Sequence, residues 1–319
     1  MSKFPAWLAV CSFGICIPLA GLPRGAYSAD SPAMPSHKEM ECIGASKETK
    51  FESLSSFCLN SDGNLMCCDD KASLIKIITP AGKLLKTWKL PFGPHRIHCA
   101  GDGTIYVGGD DVIARLDKDG KVTAKVEANG TNFPKARISG IATTDKHVFI
   151  SIGSGWSLRA IGVICRFDRD LGAPKEIARD LKGCCQRLDL AAKDGILYVA
   201  ENARKRILLF DVEGKVLSSW DRASRDDVEG FGSCCNPMNI RFGPGGEVFT
   251  SESNLGRIKR FQPDGQFLGI AAEVKIVPGC KHVAIGVSSD GKRLYLLDIT
   301  RSHIVALDVR DAAAVTAAK

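Results

Sequence analysis

The fold of this protein can be predicted from one segment, residues 232–269, which reads GSCCNPMNIRFGPGGEVFTSESNLGRIKRFQPDGQFLG. It contains four short apolar runs separated by glycine-containing turns, and a Cys-Cys pair stands near its start. Short apolar runs bounded by such turns are typical of antiparallel β-strands. The segment therefore predicts one small sheet of four strands.

Similar segments occur along almost the whole chain. They form six units, and the spacings between their first turns are 40, 43, 49, 51 and 45 residues. The centres of these turns are Gly63, Gly103, Lys146, Gly195, Gly246 and Gly291. One small sheet cannot bury both of its faces, whereas a closed ring of sheets can, and four-stranded units at this interval are typical of propeller blades. Since no amphipathic helical pattern interrupts the series, we predict an all-β fold, a six-bladed β-propeller.

We predict that the last unit and the N-terminal segment together form one four-stranded blade. The sixth unit supplies only three clear strands. We expect a strand near residues 41–45 to add the fourth and so to close the ring. The predicted organisation is a signal peptide at 1–29, a leader with the closing strand at 30–50, the propeller at 51–311 and a tail at 312–319.

The N-terminus has the pattern of an export signal. A basic start at Lys3 precedes a mostly apolar run at residues 4–22, and small residues allow cleavage after Ser28 or Ala29. The run is about long enough to span a bilayer, so a membrane anchor is the alternative. Two prolines in the run and the small-residue site favour cleavage. We expect an exported protein, periplasmic or extracellular, with no membrane span after signal removal.

Composition narrows the class of partner. The formal net charge is +7, and loss of Lys3 and Arg24 with the signal would leave +5. Acidic residues are interspersed with the basic ones, and the sequence has no Lys/Arg run suited to a phosphate backbone. Nucleic acid is therefore not an expected partner, and a small molecule or a protein on the loop face is.

Units four and five resemble NHL repeats, whose pattern is an apolar strand, an acidic residue, a small polar turn, Arg-Ile, an aromatic residue and a second turn. The matching residues are Glu201, Asn202, Arg206, Ile207, Phe210, Glu213 and Gly214 in unit four, and Glu252, Asn254, Arg257, Ile258, Phe261, Asp264 and Gly265 in unit five. This resemblance implies a six-bladed propeller. It implies no single function, because members of the family include binding modules and a few enzymes.

One face of the predicted ring collects most of the residues that could carry chemistry. The loops that lead into the innermost strands lie on this face, close to the axis. Cys185, Cys235 and Cys280 fall ten or eleven residues before the turn glycines of three adjacent units, so we expect them to lie together. Further candidates on this face are Cys184, Cys234 and His282 beside these cysteines, and His95, Asn236, Asn239, Glu201, Glu252 and Asp298 as binding residues.

The cysteine constellation has three interpretations. Eleven cysteines remain after signal removal, and in an exported protein clustered cysteines form disulfides. Thiolates with His282 or His95 could instead hold a thiophilic metal, zinc or copper. Cysteines can also be small buried apolar residues. The pair Cys67-Cys68 could join the cluster or pair with Cys42, and basic residues of the third strands, Lys259 among them, are expected on solvated outer faces.

Three classes of function follow from these features. The first is a binding module that takes a ligand or partner on its Cys-rich face and possesses a candidate metal site there. The alternative is a metal-dependent hydrolase, lactonase or lyase with its site at the end of the central channel. Related propeller enzymes are expected to use Glu/Asn/Asp ligands or three histidines, and this sequence matches neither set. A metal or redox carrier that uses the cysteines is a third class.

Overall fold

The computed structural model describes residues 34–153, 161–224, 227–232, 235–277, 279 and 281–310. Within them, 24 strands form six four-stranded antiparallel sheets. The predicted signal peptide, the predicted tail and two candidate residues, Cys234 and Cys280, lie outside the described residues. No helix in the described part has the length and apolarity needed to cross a bilayer.

Five of the blades are continuous in sequence, and each runs from its innermost to its outermost strand. Blade 1 contains β2 (Leu54–Leu59), β3 (Leu65–Asp69), β4 (Leu74–Ile78) and β5 (Leu84–Lys89). Blade 2 contains β6 (Arg96–Cys99), β7 (Ile105–Gly108), β8 (Val112–Leu116) and β9 (Val122–Glu127). Blade 3 contains β10 (Ile138–Thr143), β11 (His147–Ile152), β12 (Gly162–Asp168) and β13 (Lys175–Leu181). Blade 4 contains β14 (Asp189–Lys193), β15 (Ile196–Glu201), β16 (Arg206–Phe210) and β17 (Val216–Asp221), and blade 5 contains β18 (Asn239–Phe242), β19 (Val248–Glu252), β20 (Arg257–Phe261) and β21 (Phe267–Glu273).

The sixth blade joins the two ends of the described chain. It contains β22 (Ile285–Val287), β23 (Arg293–Asp298) and β24 (His303–Val309), and β1 (His37–Ile43) is its outermost strand. The pairing of β1 with β24 runs from His37 opposite Val309 to Ile43 opposite Ile304. The innermost strand β22 contacts both β18 and β2, so the ring is closed. The six-bladed propeller and its N-terminal closing strand are confirmed, and this strand starts at His37 rather than near residue 41.

The core of the protein lies between the blades. Six clusters of buried apolar side chains each fill the space between two neighbouring blades. Phe57 of blade 1 meets Tyr295 of blade 6 edge-on with ring centroids 6.5 Å apart, and Tyr198 of blade 4 meets Phe242 of blade 5 at 5.0 Å. Each fully buried aromatic side chain contributes roughly 1.5–3 kcal/mol. Stability therefore depends on contacts that form only when neighbouring blades stand side by side.

Cys67 and Cys68 belong to this core and not to the cysteine constellation. Both lie in β3 with no exposed surface, and both are free thiols. Side chains alternate across a strand, so Cys67 packs between blades 1 and 6 and Cys68 between blades 1 and 2. Burial raises the pKa of both thiols well above its usual value. The expectation that they pair with Cys42 or join the cluster was wrong.

Candidate functional site

Three of the predicted cysteines meet at the end of the central channel where the loops enter the innermost strands. Cys184 and Cys185 stand in a single 3₁₀ turn before β14, and Cys235 stands in the loop before β18. Cys184 and Cys235 form a disulfide with a Cα–Cα distance of 5.4 Å. The Sγ atom of Cys185 lies 3.8 Å from each of the other two sulfurs. We call Cys184, Cys185 and Cys235 the cysteine triad.

The backbone holds this triad in an uncommon conformation. Cys185 has φ 55° and Cys235 has φ 67°, both in the left-handed region that residues other than glycine rarely adopt. The buried Asn202 fixes the first loop, because its Oδ1 accepts a 2.7 Å hydrogen bond from the backbone N–H of Cys184. The turn is closed by the N–H of Arg187, which donates to the Cys184 carbonyl at 3.2 Å. Local bonds therefore present the sulfurs of two blades to one another.

A cavity of about 420 Å³, which we call the axial cavity, lies beside the triad. Except for Ile299, which follows β23, its wall residues come from innermost strands or from the loops that lead into them, which places it on the axis of the ring. The residues that give it its chemical character are Cys185, His282, Arg96, Arg137, Arg187 and Lys281. A cavity of similar size, about 430 Å³, lies among turns of blades 3 and 4 near Thr143–His147; its lining has no cysteine, and its two lysines lie beside Asp145 and Asp194. The axial cavity therefore combines a sulfur group with a concentration of positive charge.

His282 is buried in the wall of the axial cavity with only 3% of its surface exposed. Neither of its ring nitrogens has a hydrogen-bond partner among the described residues. Burial, and then the positive charges of Arg96, Arg187 and Arg241, lower its pKa well below the usual value. Its imidazole is therefore neutral at pH 7, and a neutral imidazole nitrogen can accept a proton donor or bind a metal ion.

The cations around the axial cavity differ in how they are neutralised. Arg137 forms a 3.0 Å ion pair with Asp110. Arg241, which lies nearby, donates to Asp189 at 2.8 Å. Arg96 is 4% exposed and donates to two carbonyl oxygens, those of Ser139 and His95.

Arg187 is the least satisfied of these cations. Its Nη1 atom is buried and has no partner among the described residues. Burial and the neighbouring Arg137 lower the pKa of Arg187 to about 10. Burial and repulsion from Arg187 lower the pKa of Arg96 as well. Burial is the largest cause of both lowered pKa values, and Asp189 offsets only part of the repulsion between the guanidinium groups.

The predicted binding residues Asn239 and Asn236 make structural bonds. Asn239 donates to Asp189 at 2.5 Å and accepts a 3.0 Å bond from the N–H of Ile285, so it links the innermost strands of blades 4, 5 and 6. Asn236 is fully buried and accepts a 2.8 Å bond from the N–H of Ser253. Neither side chain lines the axial cavity.

The three predicted acids at the ends of second strands are buried and face cations or backbone N–H groups. Glu201 accepts bonds from Arg204, Arg206 and the N–H of Lys182 at 2.6–2.8 Å. Asp298 accepts bonds from the N–H groups of Thr300 and Arg301 at 3.0 and 3.2 Å. None of the three lines the axial cavity, and their bonds fix the loops that follow each second strand.

Glu252, the third acid, is paired with Lys259, which the sequence predicted to be exposed. Glu252 accepts a 2.9 Å bond from Lys259, and both side chains are 1% exposed. Lys259 also donates to the carbonyl of Gly230 at 2.5 Å. Its expected place on a solvated outer face was wrong, because the loop that includes Gly230 covers this face of β20.

His95 lies away from the triad, at the start of blade 2. Its ring nitrogens lie 3.4 Å from Asp70 and 3.2 Å from Asp110. The first contact is within ion-pair distance but lacks hydrogen-bond geometry, since Nδ1 has no hydrogen-bond partner among the described residues. His95 holds two loops together and belongs to a different part of the ring from the sulfurs.

The positive residues of the axial cavity were not among the site residues predicted from the sequence. A signal for them is present, because a basic residue stands next to or two positions from a predicted site residue at three unit starts: His95-Arg96, Cys185-Gln186-Arg187 and Lys281-His282. From sequence alone, charged side chains near the start of an inner strand are easily predicted to be exposed to solvent. Only closure of the ring shows that these starts converge.

Comparison with known proteins supports the fold. No protein-family model and no curated protein matches the sequence. The chain is similar to the solved structure of virginiamycin B lyase from Staphylococcus aureus, with 18% identity over 80% of each chain and a TM-score of 0.55. It is similar to a gluconolactonase from Xanthomonas campestris, with 14% identity over 88% of this chain and 99% of that chain and a TM-score of 0.62.

A third similar structure is a luciferin-regenerating enzyme, with 15% identity over 82% of this chain and 92% of that chain and a TM-score of 0.58. At such identities these likenesses show the six-bladed propeller fold alone. Membership of the NHL-repeat family stays a prediction.

Proposed function

We propose that this protein is an exported NHL-type propeller that acts as a binding module and holds a thiophilic metal ion, zinc or copper, at its cysteine triad. The observation that carries the proposal is the convergence of three sulfur atoms, all within 4.8 Å of one another. His282, which lines the same cavity as Cys185, adds a neutral nitrogen without a partner. Buried polar atoms in proteins are nearly always bonded, so such a nitrogen is an unused ligand.

The spacing of the sulfurs suits a metal. A zinc ion binds thiolates at about 2.3 Å with tetrahedral angles, which places two sulfurs on one ion about 3.8 Å apart. Cys185 Sγ lies 3.8 Å from both other sulfurs of the triad. Copper(I) also prefers such soft ligands. Cys234, Cys280 and His282 complete the set of candidate ligands that the sequence places on this face.

The oxidation state of the triad controls this site. The disulfide between Cys184 and Cys235 leaves Cys185 as the one free thiol of the triad. An external dithiol, which becomes a disulfide, or a phosphine with water, which becomes a phosphine oxide, would supply two electrons and two protons and convert the disulfide to two thiols, and only their thiolates can bind a metal. We therefore expect the metal-binding form to be the reduced one.

The test uses mature protein that is reduced with a phosphine and desalted under anaerobic conditions. Zinc is titrated against a chromophoric chelator, copper(I) is titrated in the same way, and cobalt(II) serves as a spectroscopic probe of thiolate coordination. We expect one equivalent of metal to bind, and Cys185→Ser to weaken binding by at least about 100-fold, because changes outside the ligands already cost 10–100-fold. Cys42→Ser, which removes an exposed free thiol on β1, is the matched control. Absence of saturable binding, or equal affinity in both variants, would overturn the proposal.

Metal-dependent hydrolase, lactonase or lyase activity is the second candidate. The support is the similarity in fold to structures named as a lyase and a gluconolactonase, and fold alone does not carry an activity. Among the described residues, the cysteine triad is the one group of three or more Cys, His, Asp or Glu side chains placed to hold a metal. Metal-loaded protein should be assayed against simple lactones, with Cys185→Ser as the control. Hydrolysis that requires the metal and Cys185 would favour an enzyme over a binding module.

Export is proposed from the N-terminal sequence pattern, and the disulfide is compatible with an oxidising compartment. The mass of the protein recovered from a cell that expresses the full gene tests it. A mature chain that begins after Ser28 or Ala29 would support export, and an intact N-terminus in the cytoplasm would contradict it.

A further inference from the structure

The axial cavity carries a second property that is independent of the sulfurs. It lies on the axis and has a volume of about 420 Å³, which falls within the range of small-molecule sites, roughly 300–1,000 Å³. An inorganic oxyanion would fill only a small part of this space. The volume therefore fits an organic molecule.

The charge of the walls selects the kind of molecule. Of the four cations that line the cavity, Arg137 has an acidic partner in Asp110. No carboxylate of the described residues lies within 4.0 Å of the basic nitrogens of Arg96, Arg187 or Lys281. These three cations come from blades 2, 4 and 6, and they converge because the ring closes. Such a concentration of positive charge in a low-dielectric wall favours an anion.

Unused hydrogen-bond donors point in the same direction. Arg187 Nη1 is buried without a partner in the described part of the chain. His282, at 3% exposed, likewise has no partner for the N–H that its neutral ring carries. Leaving a buried donor unpaired costs about 1–3 kcal/mol. A carboxylate or phosphate oxygen would satisfy both groups at once, because guanidinium groups bind these oxyanions in a bidentate manner.

We propose that the axial cavity binds an organic anion, a small molecule that bears a carboxylate or a phosphate ester, through Arg187, Arg96 and Lys281. His282 donates a further hydrogen bond to the same oxyanion. The rest of the ligand fills the remainder of the cavity.

The test measures binding by isothermal titration calorimetry with oxidised protein, in which the triad retains its disulfide. The probes are succinate, glycerol 3-phosphate, inorganic phosphate and succinamide, which is the neutral analogue of succinate. We expect saturable binding of succinate or glycerol 3-phosphate that weakens as sodium chloride is added. Tighter binding of succinate would indicate a carboxylate ligand, and tighter binding of glycerol 3-phosphate would indicate a phosphate ester.

Substitutions locate the binding. Arg187→Gln should weaken it by about tenfold or more, the loss that one charge-assisted hydrogen bond implies. Arg179→Gln is the matched control, because Arg179 pairs with Glu176 on the outermost strand of blade 3. Lys281→Gln, at a partly exposed position, provides a second variant if Arg187→Gln does not fold.

Three results would overturn the inference: no saturable binding of either organic anion, binding of succinamide as tight as that of succinate, or equal affinity in the Arg187 and Arg179 variants. Equal binding of inorganic phosphate and the organic probes would overturn the assignment of an organic ligand. The same titration repeated with a chelator present separates this inference from the metal proposal. Anion binding should be unchanged under that condition, because the anion does not need a metal.

Discussion

Two regions of the ring bury charge in different ways. At the ends of the second strands, each buried carboxylate lies within 4.0 Å of a cation: Glu201 of Arg206, Glu252 of Lys259 and Asp298 of Arg301. In the axial cavity, Arg187 and Arg96 have no such counterion among the described residues. Removing one partner of a buried ion pair costs about 3–5 kcal/mol because it leaves an uncompensated charge, and a buried charge that the chain itself leaves without a counterion likewise costs stability and indicates a ligand. This difference distinguishes the predicted site residues whose side chains fix loops from the residues whose side chains are available to bind a ligand.

The largest expected effect comes from breaking a neutralised pair. Glu252→Gln leaves Lys259 buried at 1% exposure without an anion, and we expect a loss of about 3–5 kcal/mol in the free energy of unfolding. Chemical denaturation measures it. The double variant Glu252→Gln with Lys259→Met removes both charges and should recover most of the loss. A loss below about 1 kcal/mol, which is typical of exposed pairs, would contradict this account.

The next effect uses pH to add a positive charge to an innermost strand, where the neighbouring Arg241 and Arg169 are paired with Asp189 and Asp102. His98 lies in β6 with its Nε2 2.9 Å from Thr143 Oγ1. Burial, and then Arg241 and Arg169, lower the pKa of His98 to about 3, below the unfolded value of about 6.5. The unfolded chain therefore takes up the proton first, and stability present at pH 7 is lost as the pH falls from about 6.5 towards 3.

The expected loss from this group is about 2 kcal/mol between pH 7 and pH 5. Urea denaturation at the two pH values measures it in the wild type and in His98→Asn. The variant should show a smaller decrease than the wild type. Equal decreases would show that neither burial nor the neighbouring guanidinium groups lower the pKa of His98 in the folded protein.

The smallest effect comes from removing an unneutralised charge. Without ligand, Arg187→Gln should leave the free energy of unfolding unchanged or raise it by about 1 kcal/mol, as is common for residues kept for function. Arg241→Gln is the comparison, because it breaks the 2.8 Å bond to Asp189 and should cost about 1–3 kcal/mol. Thermal and chemical denaturation at low salt measure both. If Arg187→Gln is the more damaging of the two, Arg187 has a structural role and the contrast between the regions fails.

Much of the fold could be predicted because a single local pattern repeats. The first-turn glycines Gly63, Gly103, Gly195, Gly246 and Gly291 all have positive φ values between 70° and 85°, the conformation that glycine adopts most readily. The turn of the second hairpin shows a further constraint. A Cβ atom on Gly265 would lie 2.6 Å from Trp220 of the preceding blade, so this glycine is needed both for its φ of 90° and for contact between blades.

The site could be predicted only in part. Cys184, Cys185 and Cys235 could be predicted to lie together because each precedes the turn glycine of its unit by ten or eleven residues, which is a property of the repeat. Arg187 and Arg96 were missed because their burial depends on which blades face each other across the axis. Lys259 was misplaced because a loop outside the repeat, near Gly230, covers its strand. Interactions within one blade are visible in sequence, whereas interactions made by irregular loops or across the axis are not.

The outermost strand of the sixth blade has a consequence for how the protein is made. His37 pairs with Val309, so the first strand to leave the ribosome finds its partner only after the last one has emerged. Until then it presents an unpaired edge, which is open to association with other chains. Until β24 is made, the ring is open, and the first and the last completed blades each have one face that no neighbouring blade covers. Closure of the ring therefore comes late and completes the sixth sheet, and a chain stopped before β24 would lack the strand with which β1 pairs.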